Sequence, residues 1–262
     1  MNALLSVNGV SKTYKGSTGK ATVHAVHNIS FHINKGECLG LVGESGCGKS
    51  TLAKLLLLLE QPDCGEISFH GTLLTGLKGK ALRMMRQHIQ GVFQDPNAAL
   101  NDRLPVWRSV LEPLDNYPEV VPPFLTGIRK SRRNTAATLF DMVGLERACM
   151  ERYPHELSGG QRQRVVIARG ISLLPKLLIC DEATTSLDVT VQSQILQLLE
   201  QLRLELGLAF LFISHDIAVV EQMSARMVIM QAGTIVDQFS KHEIWSAKRH
   251  PYTQLLLAAA SR

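Results

Sequence analysis

The stretch Gly43-Glu44-Ser45-Gly46-Cys47-Gly48-Lys49-Ser50-Thr51 constrains this chain more than any other. It fits the pattern G-x-x-x-x-G-K-[ST] of a phosphate-binding loop. The apolar run at 38–42 before it reads as a buried strand, and the leucine-rich run at 52–59 after it reads as a helix. That strand–loop–helix order is the setting the pattern requires. Glycines tolerate the tight backbone that lets several N–H groups converge on one anion. The helix N-terminus adds its partial positive charge. Lys49 is spaced to reach β- and γ-phosphates, Ser50 offers a hydroxyl to Mg²⁺, and Thr51 adds a phosphate contact.

Such a loop needs a buried sheet around it, and the composition supplies one. At 262 residues and 45% hydrophobic, the chain holds one large α/β domain or a core with a subdomain. The net charge of +5 is mild, and the cations are scattered except at Arg129-Lys130-Ser131-Arg132-Arg133. That run reads as a solvated helix start, so no nucleic-acid partner is expected. The five cysteines form no C-x-x-C pair, which points to a reducing compartment without a disulfide framework or zinc site. No signal peptide is evident at the N-terminus. The longest leucine run, 55–59, is far too short to cross a bilayer. Any membrane step would belong to another chain.

Taken in order, residues 4–10 and 22–33 alternate apolar and polar side chains and read as antiparallel strands. A loop at 15–20 joins them. Tyr14 stands just before it, where an aromatic ring can stack on a base or pack on its neighbours. His24, His27 and His32 are spaced too irregularly to form a metal site on one strand face. Beyond the phosphate loop, short strands are expected at 66–69 and 89–93, with a helix at 80–87 between them. From Gln94-Asp95-Pro96 to about Pro154 the prolines cluster, and helical patterns follow at 131–143. This region reads as a mostly helical insertion with a surface loop near 117–124. Helices are then expected at 159–171 and 189–206, buried strands at 177–180 and 209–213, and a hairpin at 226–230 and 234–238. The tail, 243–260, reads as a helix broken by Pro251. Repeated strand–helix units imply a parallel sheet.

A phosphate loop alone says only that phosphate binds. Leu177-Leu178-Ile179-Cys180-Asp181 is an apolar strand that delivers a carboxylate at its C-terminal end, where Asp181 can hold Mg²⁺. Glu182 follows at once, and a second carboxylate there can orient or deprotonate an attacking water. Leu157-Ser158-Gly159-Gly160-Gln161 is a second anion-binding helix start: Ser158 can cap the helix while Gly159 and Gly160 expose N–H groups. An ordinary serine-capped helix would look the same. As an anion site it is redundant within one chain but useful if it closes over a nucleotide held by another subunit.

With these residues in view, nearly the whole chain resembles the ATP-binding-cassette (ABC) ATPases, and within them the oligopeptide/dipeptide/nickel importer group. The Ser158 stretch resembles their signature motif. Tyr14 matches the adenine-stacking aromatic, and Gln94 the glutamine between core and helical subdomain. Thr185-Ser186-Leu187-Asp188 matches the loop that crosses the dimer interface, and His215 the switch histidine. Gln94-Asp95-Pro96 with Ala99-Leu100-Asn101, and the tail His250-Pro251-Tyr252-Thr253, are similar to the peptide/nickel subgroup, most of all to the second of its two paired ATPases.

The resemblance implies an α/β fold: a P-loop NTPase core with a mixed sheet, an N-terminal antiparallel β subdomain and an inserted helical subdomain. It implies one domain over 1–262, with the core at 1–94 and 172–262 and the helical part, including the signature, at 95–171. Glu182, His215 and Gln94 would be catalytic. Ser50, Gln94 and Asp181 would hold Mg²⁺. ATP would contact Tyr14, the loop from Gly43 to Thr51, Ser158, Gly159, Gly160, Gln161 and Asp188. The implied partners are a second ATPase subunit, with a heterodimer favoured over a homodimer, two transmembrane permeases, and indirectly an extracytoplasmic substrate-binding protein. The implied location is the cytoplasmic face of the membrane. The alternative is a regulatory or scaffold subunit of a multienzyme complex of the phosphonate-breakdown type. Two departures stand out. Ala183 replaces a usual proline, which should loosen the turn after Glu182 and leave the carboxylates in place. The cysteine-bearing tail of some relatives is not seen, so no iron–sulfur centre is expected.

Overall fold

The first two strands, β1 (Leu5–Lys15) and β2 (Thr22–Ile33), pair antiparallel. In β2 the side chains of Ile29, Phe31 and Ile33 turn inward while their neighbours face water. β1 runs five residues past its expected end, up to Lys15. Register shifts after Val7, Val10 and Lys12 spoil the simple alternation there, so a period-two pattern stops at Val10 although the strand does not. The structure, a computed structural model, describes residues 3–15, 22–185 and 187–260, apart from the side chain of Asn97. Residues 16–20 of the expected loop lie outside the described residues.

β3 (Cys38–Val42) is buried at every position, as a strand covered on both faces must be. The helix after it, α1 (Lys49–Leu56), begins inside the glycine-rich loop, three residues ahead of the expected start at Leu52. β4 (Cys64–Phe69) and β5 (Thr72–Leu73) follow, then α2 (Gly79–Arg86) and β6 (Ile89–Phe93). The helical insertion holds α3 (Pro96–Ala99), α4 (Val106–Asn116), α5 (Arg132–Met142) and α6 (Gly159–Ile171). Ser131 caps α5, and its hydroxyl accepts the Asn134 N–H. α4 carries Pro113 in its interior, and the proline count hides this helix in the sequence. Val106, Val110, Leu111 and Leu114 bury one face of it, which outweighs the lost hydrogen bond.

The chain then alternates β7 (Leu177–Asp181), α7 (Val189–Leu206), β8 (Ala209–Ser214) and α8 (Ile217–Met223). α8 has no counterpart among the expected elements. The hairpin β9 (Arg226–Gln231) and β10 (Thr234–Ser240) follows, and α9 (Pro251–Ala260) closes the chain. The tail therefore differs from its reading. Pro251 starts the helix instead of breaking one, because a proline at the first helical position gives up an N–H that has no partner anyway.

Two sheets result among the described residues. One has six strands in the order β10-β9-β3-β8-β7-β6, all neighbours parallel except β10 against β9. The other has four antiparallel strands in the order β2-β1-β4-β5. α1 is clamped between them: Leu52 and Leu55 share one apolar cluster with Val7 and Ile67 on one side and Leu39 and Leu41 on the other. The far face of the large sheet, with Phe210 and Phe212, packs on α7, α8 and the helical insertion. The expected fold class is the one observed. Parallel strands β3, β7 and β8 all end on one edge, which is where an α/β sheet binds ligands.

Candidate functional site

Glycine geometry sets the floor of the site. Gly46 and Gly48 have φ of +81° and +106°, values L side chains rarely adopt. A Cβ on Gly48 would lie 2.0 Å from the Ala25 carbonyl oxygen, and one on Gly43 would lie 2.2 Å from that of Met230. The loop is thus wedged between β2 and β9. Gly48→Ala is expected to cost at least about 2 kcal/mol, from left-handed strain plus a backbone clash. A denaturant midpoint equal to wild type would refute this.

Lys49 is buried, and its ammonium donates to the Gly43 and Glu44 carbonyls at 2.6 and 2.9 Å. The charge therefore sits inside the loop. Burial pushes the Cys47 thiol above its ordinary value, with the Lys49 charge opposing. The turn between β9 and β10 braces the loop from behind: Gly233 N–H donates to the Cys47 carbonyl at 2.9 Å.

The carboxylates come from the end of β7. Asp181 is buried, and burial raises its carboxyl above the usual range; a hydrogen bond from Ser50 lowers it and the nearby Glu182 raises it further. Its Oδ1 is fully buried with no hydrogen-bond partner. Glu182 has φ of +53°, a left-handed backbone in a non-glycine residue. That strain of about 1–3 kcal/mol aims the side chain off the strand end and into the cleft. His215, just beyond β8, places Nδ1 at 2.9 and 3.0 Å from the two Glu182 oxygens. The ring is 53% exposed and the carboxylate only 12%, so the pair faces the open cleft through the histidine. Ala183 is buried, and the turn behind it is held by Thr185, whose N–H and hydroxyl donate to the Glu182 carbonyl.

These groups surround one cleft of about 550 Å³. Ser45, Gly46, Gly48, Lys49, Ser50, Thr51, Gln94, Glu182 and His215 line it. Val23, His24, Ala25, Ala232 and Gly233 line it too, and the sequence reading did not place any of them there. Tyr14 stands beside the cleft and is not among its lining residues. Its hydroxyl donates to Glu60 at 2.5 Å, and its cross-strand partner Val23 provides the wall. Burial first, and then that carboxylate, raise the Tyr14 phenol.

The second glycine-rich stretch does not join this cleft. Ser158 caps α6 in a reciprocal box: its hydroxyl accepts the Gln161 N–H at 3.3 Å, and the Gln161 side chain accepts the Ser158 N–H at 3.0 Å. Gly159 and Gly160 form the first turn, and a Cβ on Gly160 would meet Val191 at 2.6 Å. Asp188 caps α7 by accepting the Val191 N–H at 3.0 Å. Ser186, in the loop before it, lies outside the described residues. One chain thus presents a phosphate cleft and, apart from it, a capped helix start.

Comparison with known proteins agrees with this geometry. The family model described as ABC transporter matches residues 26–185. This chain belongs to the ABC transporter family. The cassette is 44% identical to the probable peptide ABC transporter ATP-binding protein y4tS of Sinorhizobium fredii, over 99% of this chain and 73% of that protein. It is 43% identical to the oligopeptide transport ATP-binding protein OppF of Streptococcus mutans, over 98% of this chain and 81% of OppF. Against the glutathione import ATP-binding protein GsiA of Pectobacterium atrosepticum it is 48% identical over 90% of its length, but spans only 37% of GsiA. In three dimensions it superposes on the ATP-binding cassette MJ0796, solved as a dimer after hydrolysis with ADP and Pi. The TM-score is 0.79 at 30% identity, over 90% of this chain and 98% of MJ0796. The cassette is an ATPase that binds ATP and couples hydrolysis to transport. Among the described residues no helix is long and apolar enough to cross a membrane.

Proposed function

We propose that this cassette hydrolyses ATP to power an importer of peptides, nickel or a related metal chelate. Its relatives y4tS and OppF are described as peptide and oligopeptide transport proteins, and GsiA as a glutathione import protein, which supports an importer and favours peptides over nickel. The single observation that carries the mechanism is the separation of the two anion-binding halves on one chain. The Gly43–Thr51 cleft holds the triphosphate of one ATP, and the Ser158 helix start closes over the ATP of a partner subunit.

In this mechanism the loop N–H groups and Lys49 hold the β- and γ-phosphates. Glu182 orients an attacking water and takes its proton, while His215 fixes the carboxylate through Nδ1 and reaches toward the γ-phosphate. Gln94 lines the same cleft, at the entrance to the helical insertion. The residues also fit Mg²⁺: the buried Asp181 oxygen without a partner, the Ser50 hydroxyl beside it and Gln94 are hard oxygen donors that would hold the ion. When bound, the ion neutralises charge that develops on the phosphates. Tyr14 contacts the adenine once the nucleotide enters, and Asp188 meets the partner across the interface.

We divide the single domain 1–262 into a core at 1–94 and 172–262 and a helical part at 95–171. Between them lies a groove of about 570 Å³, lined by Phe93, Ala99, Leu100, Glu112 and Arg169. The permeases dock here, next to Gln94, so that closure of the ATPase pair moves them. The cassette sits on the cytoplasmic face of the membrane, pairs with a second ATPase subunit as a heterodimer, and meets the substrate-binding protein only through the permeases.

Ser158→Arg tests this arrangement. A bulky cation where the partner's γ-phosphate docks is expected to spare ATP binding at this chain's own loop and to block closure over the partner's nucleotide. ATP binding and turnover are measured for the variant alone and mixed with the ATPase encoded beside it. Wild-type turnover in both settings would overturn the shared site.

A further inference from the structure

The tail motif His250-Pro251-Tyr252-Thr253 has no role in the chemistry above, yet it reaches the phosphate loop. Tyr252 is buried, and its hydroxyl accepts the backbone N–H of Glu44 at 3.1 Å across 208 residues of sequence. The same Glu44 residue offers its carbonyl to the Lys49 ammonium at 2.9 Å. The second residue of the loop is therefore held from outside by Tyr252 and from inside by the lysine that meets the phosphates.

Tyr252 is itself rigidly placed. Asp237 on β10 accepts the His250 N–H at 2.8 Å and the Thr253 hydroxyl at 2.9 Å through one oxygen, and Arg249 lies 3.4 Å from the other. Thr253 is fully buried. The His250 ring accepts the Tyr252 N–H through Nδ1 at 3.2 Å. The N–H groups that a helix start leaves free are thus capped partly by a neighbouring strand and partly by the residue before the helix. Arg249 stacks on Phe239 and ties the same corner down. α9 also packs on α8, whose N-cap Asp216 directly follows His215. One helix therefore touches both the phosphate loop and the helix that follows the switch histidine.

We propose that Tyr252 is a positioning residue for nucleotide binding: fixed beside β10 by its neighbours His250 and Thr253, which both bond Asp237, it holds the Glu44 peptide plane so that the loop is shaped for phosphate before the nucleotide arrives. A preordered loop pays less conformational entropy on binding, so the effect falls on affinity and not on the chemical step. Tyr252 is not among the residues that line the cleft, so its role is exerted through Glu44. The inference rests on the cleft being the nucleotide site.

The test is Tyr252→Phe in the full chain, which keeps the ring and its packing and removes one oxygen. The probe is a fluorescent ATP analogue titrated against wild type and variant, with steady-state turnover and melting temperature measured alongside. The Glu44 N–H loses its partner, and nucleotide Kd and KM are expected to rise about fivefold or more. Turnover at saturation should stay within about twofold, and the nucleotide-free melting temperature within a few degrees. Thr253→Val loosens the Asp237 staple while leaving the tyrosine, and should shift Kd in the same direction by less. It also serves as the test if the phenylalanine variant does not fold. Unchanged Kd and KM in Tyr252→Phe overturn the proposal, as does a fall in saturated turnover with KM unaltered. Failure of the wild-type chain to bind the analogue would instead strike at the cleft itself, so the two failures are separable.

Discussion

Lys49→Ala is expected to abolish measurable ATP turnover and weaken nucleotide binding. The lysine is buried in the loop, with its ammonium 2.6 Å from the Gly43 carbonyl and 2.9 Å from that of Glu44. It contributes in two ways. As a cation in a water-poor pocket it opposes the charge of the β- and γ-phosphates, and removal of one such preorganised group lowers rates by about 10²–10³-fold. As a donor it ties down the Gly43 and Glu44 carbonyls and so helps hold the shape of the loop. Alanine removes both, so the loss should lie at or beyond the upper end of that range. Phosphate release by the purified variant, with circular dichroism to confirm folding, is the measurement. Wild-type turnover would sink the assignment of this loop.

Glu182→Gln should separate binding from chemistry. Glutamine keeps the size of the side chain and an oxygen that can still accept from His215 Nδ1, which sits 2.9 Å from the carboxylate. It removes the proposed proton acceptor and one negative charge from the cleft. Turnover is expected to fall by about 10²-fold or more, the scale of a lost general base. ATP binding should persist and even strengthen, since a repulsive charge is gone. The variant should accumulate as an ATP-bound dimer, seen as an earlier-eluting species by size exclusion. Normal hydrolysis would show that another group activates the water.

Several of these residues were legible before any fold was known. Gly43 to Thr51, Asp181 and Glu182 stand out because the backbone needs of a phosphate cradle, and of a carboxylate at a strand end, are written in short contiguous stretches. The helices at 159–171 and 189–206 were readable too: Ser158 announces the first, and the second is long enough to show a helical period. α4 was obscured by its prolines because burial of its apolar face, a tertiary effect, overrides a local penalty. The continuation of β1 was obscured because its bulges disturb the alternation. α8 is seven residues long, too short to show a helical period.

What the chain alone determined was the chemistry of the loop: which residue types meet phosphate, and in which order along the backbone. Tertiary structure decided what stands around them. Val23 and His24 from β2, Ala232 and Gly233 from the β9–β10 turn, and Tyr252 behind the loop carry no local mark of their positions. The packing of β2 on β10 brings Val23 and His24, the pairing of β9 with β3 brings Ala232 and Gly233, and the capping of α9 by Asp237 brings Tyr252. Contacts of this kind join residues up to 208 positions apart and come from the summed packing of two sheets on α1, not from the preference of any one segment. The same physics keeps Ser158 away from the cleft: Gly160 fits closely against α7, and α6 and α7 together hold the capped helix start apart from the phosphate loop.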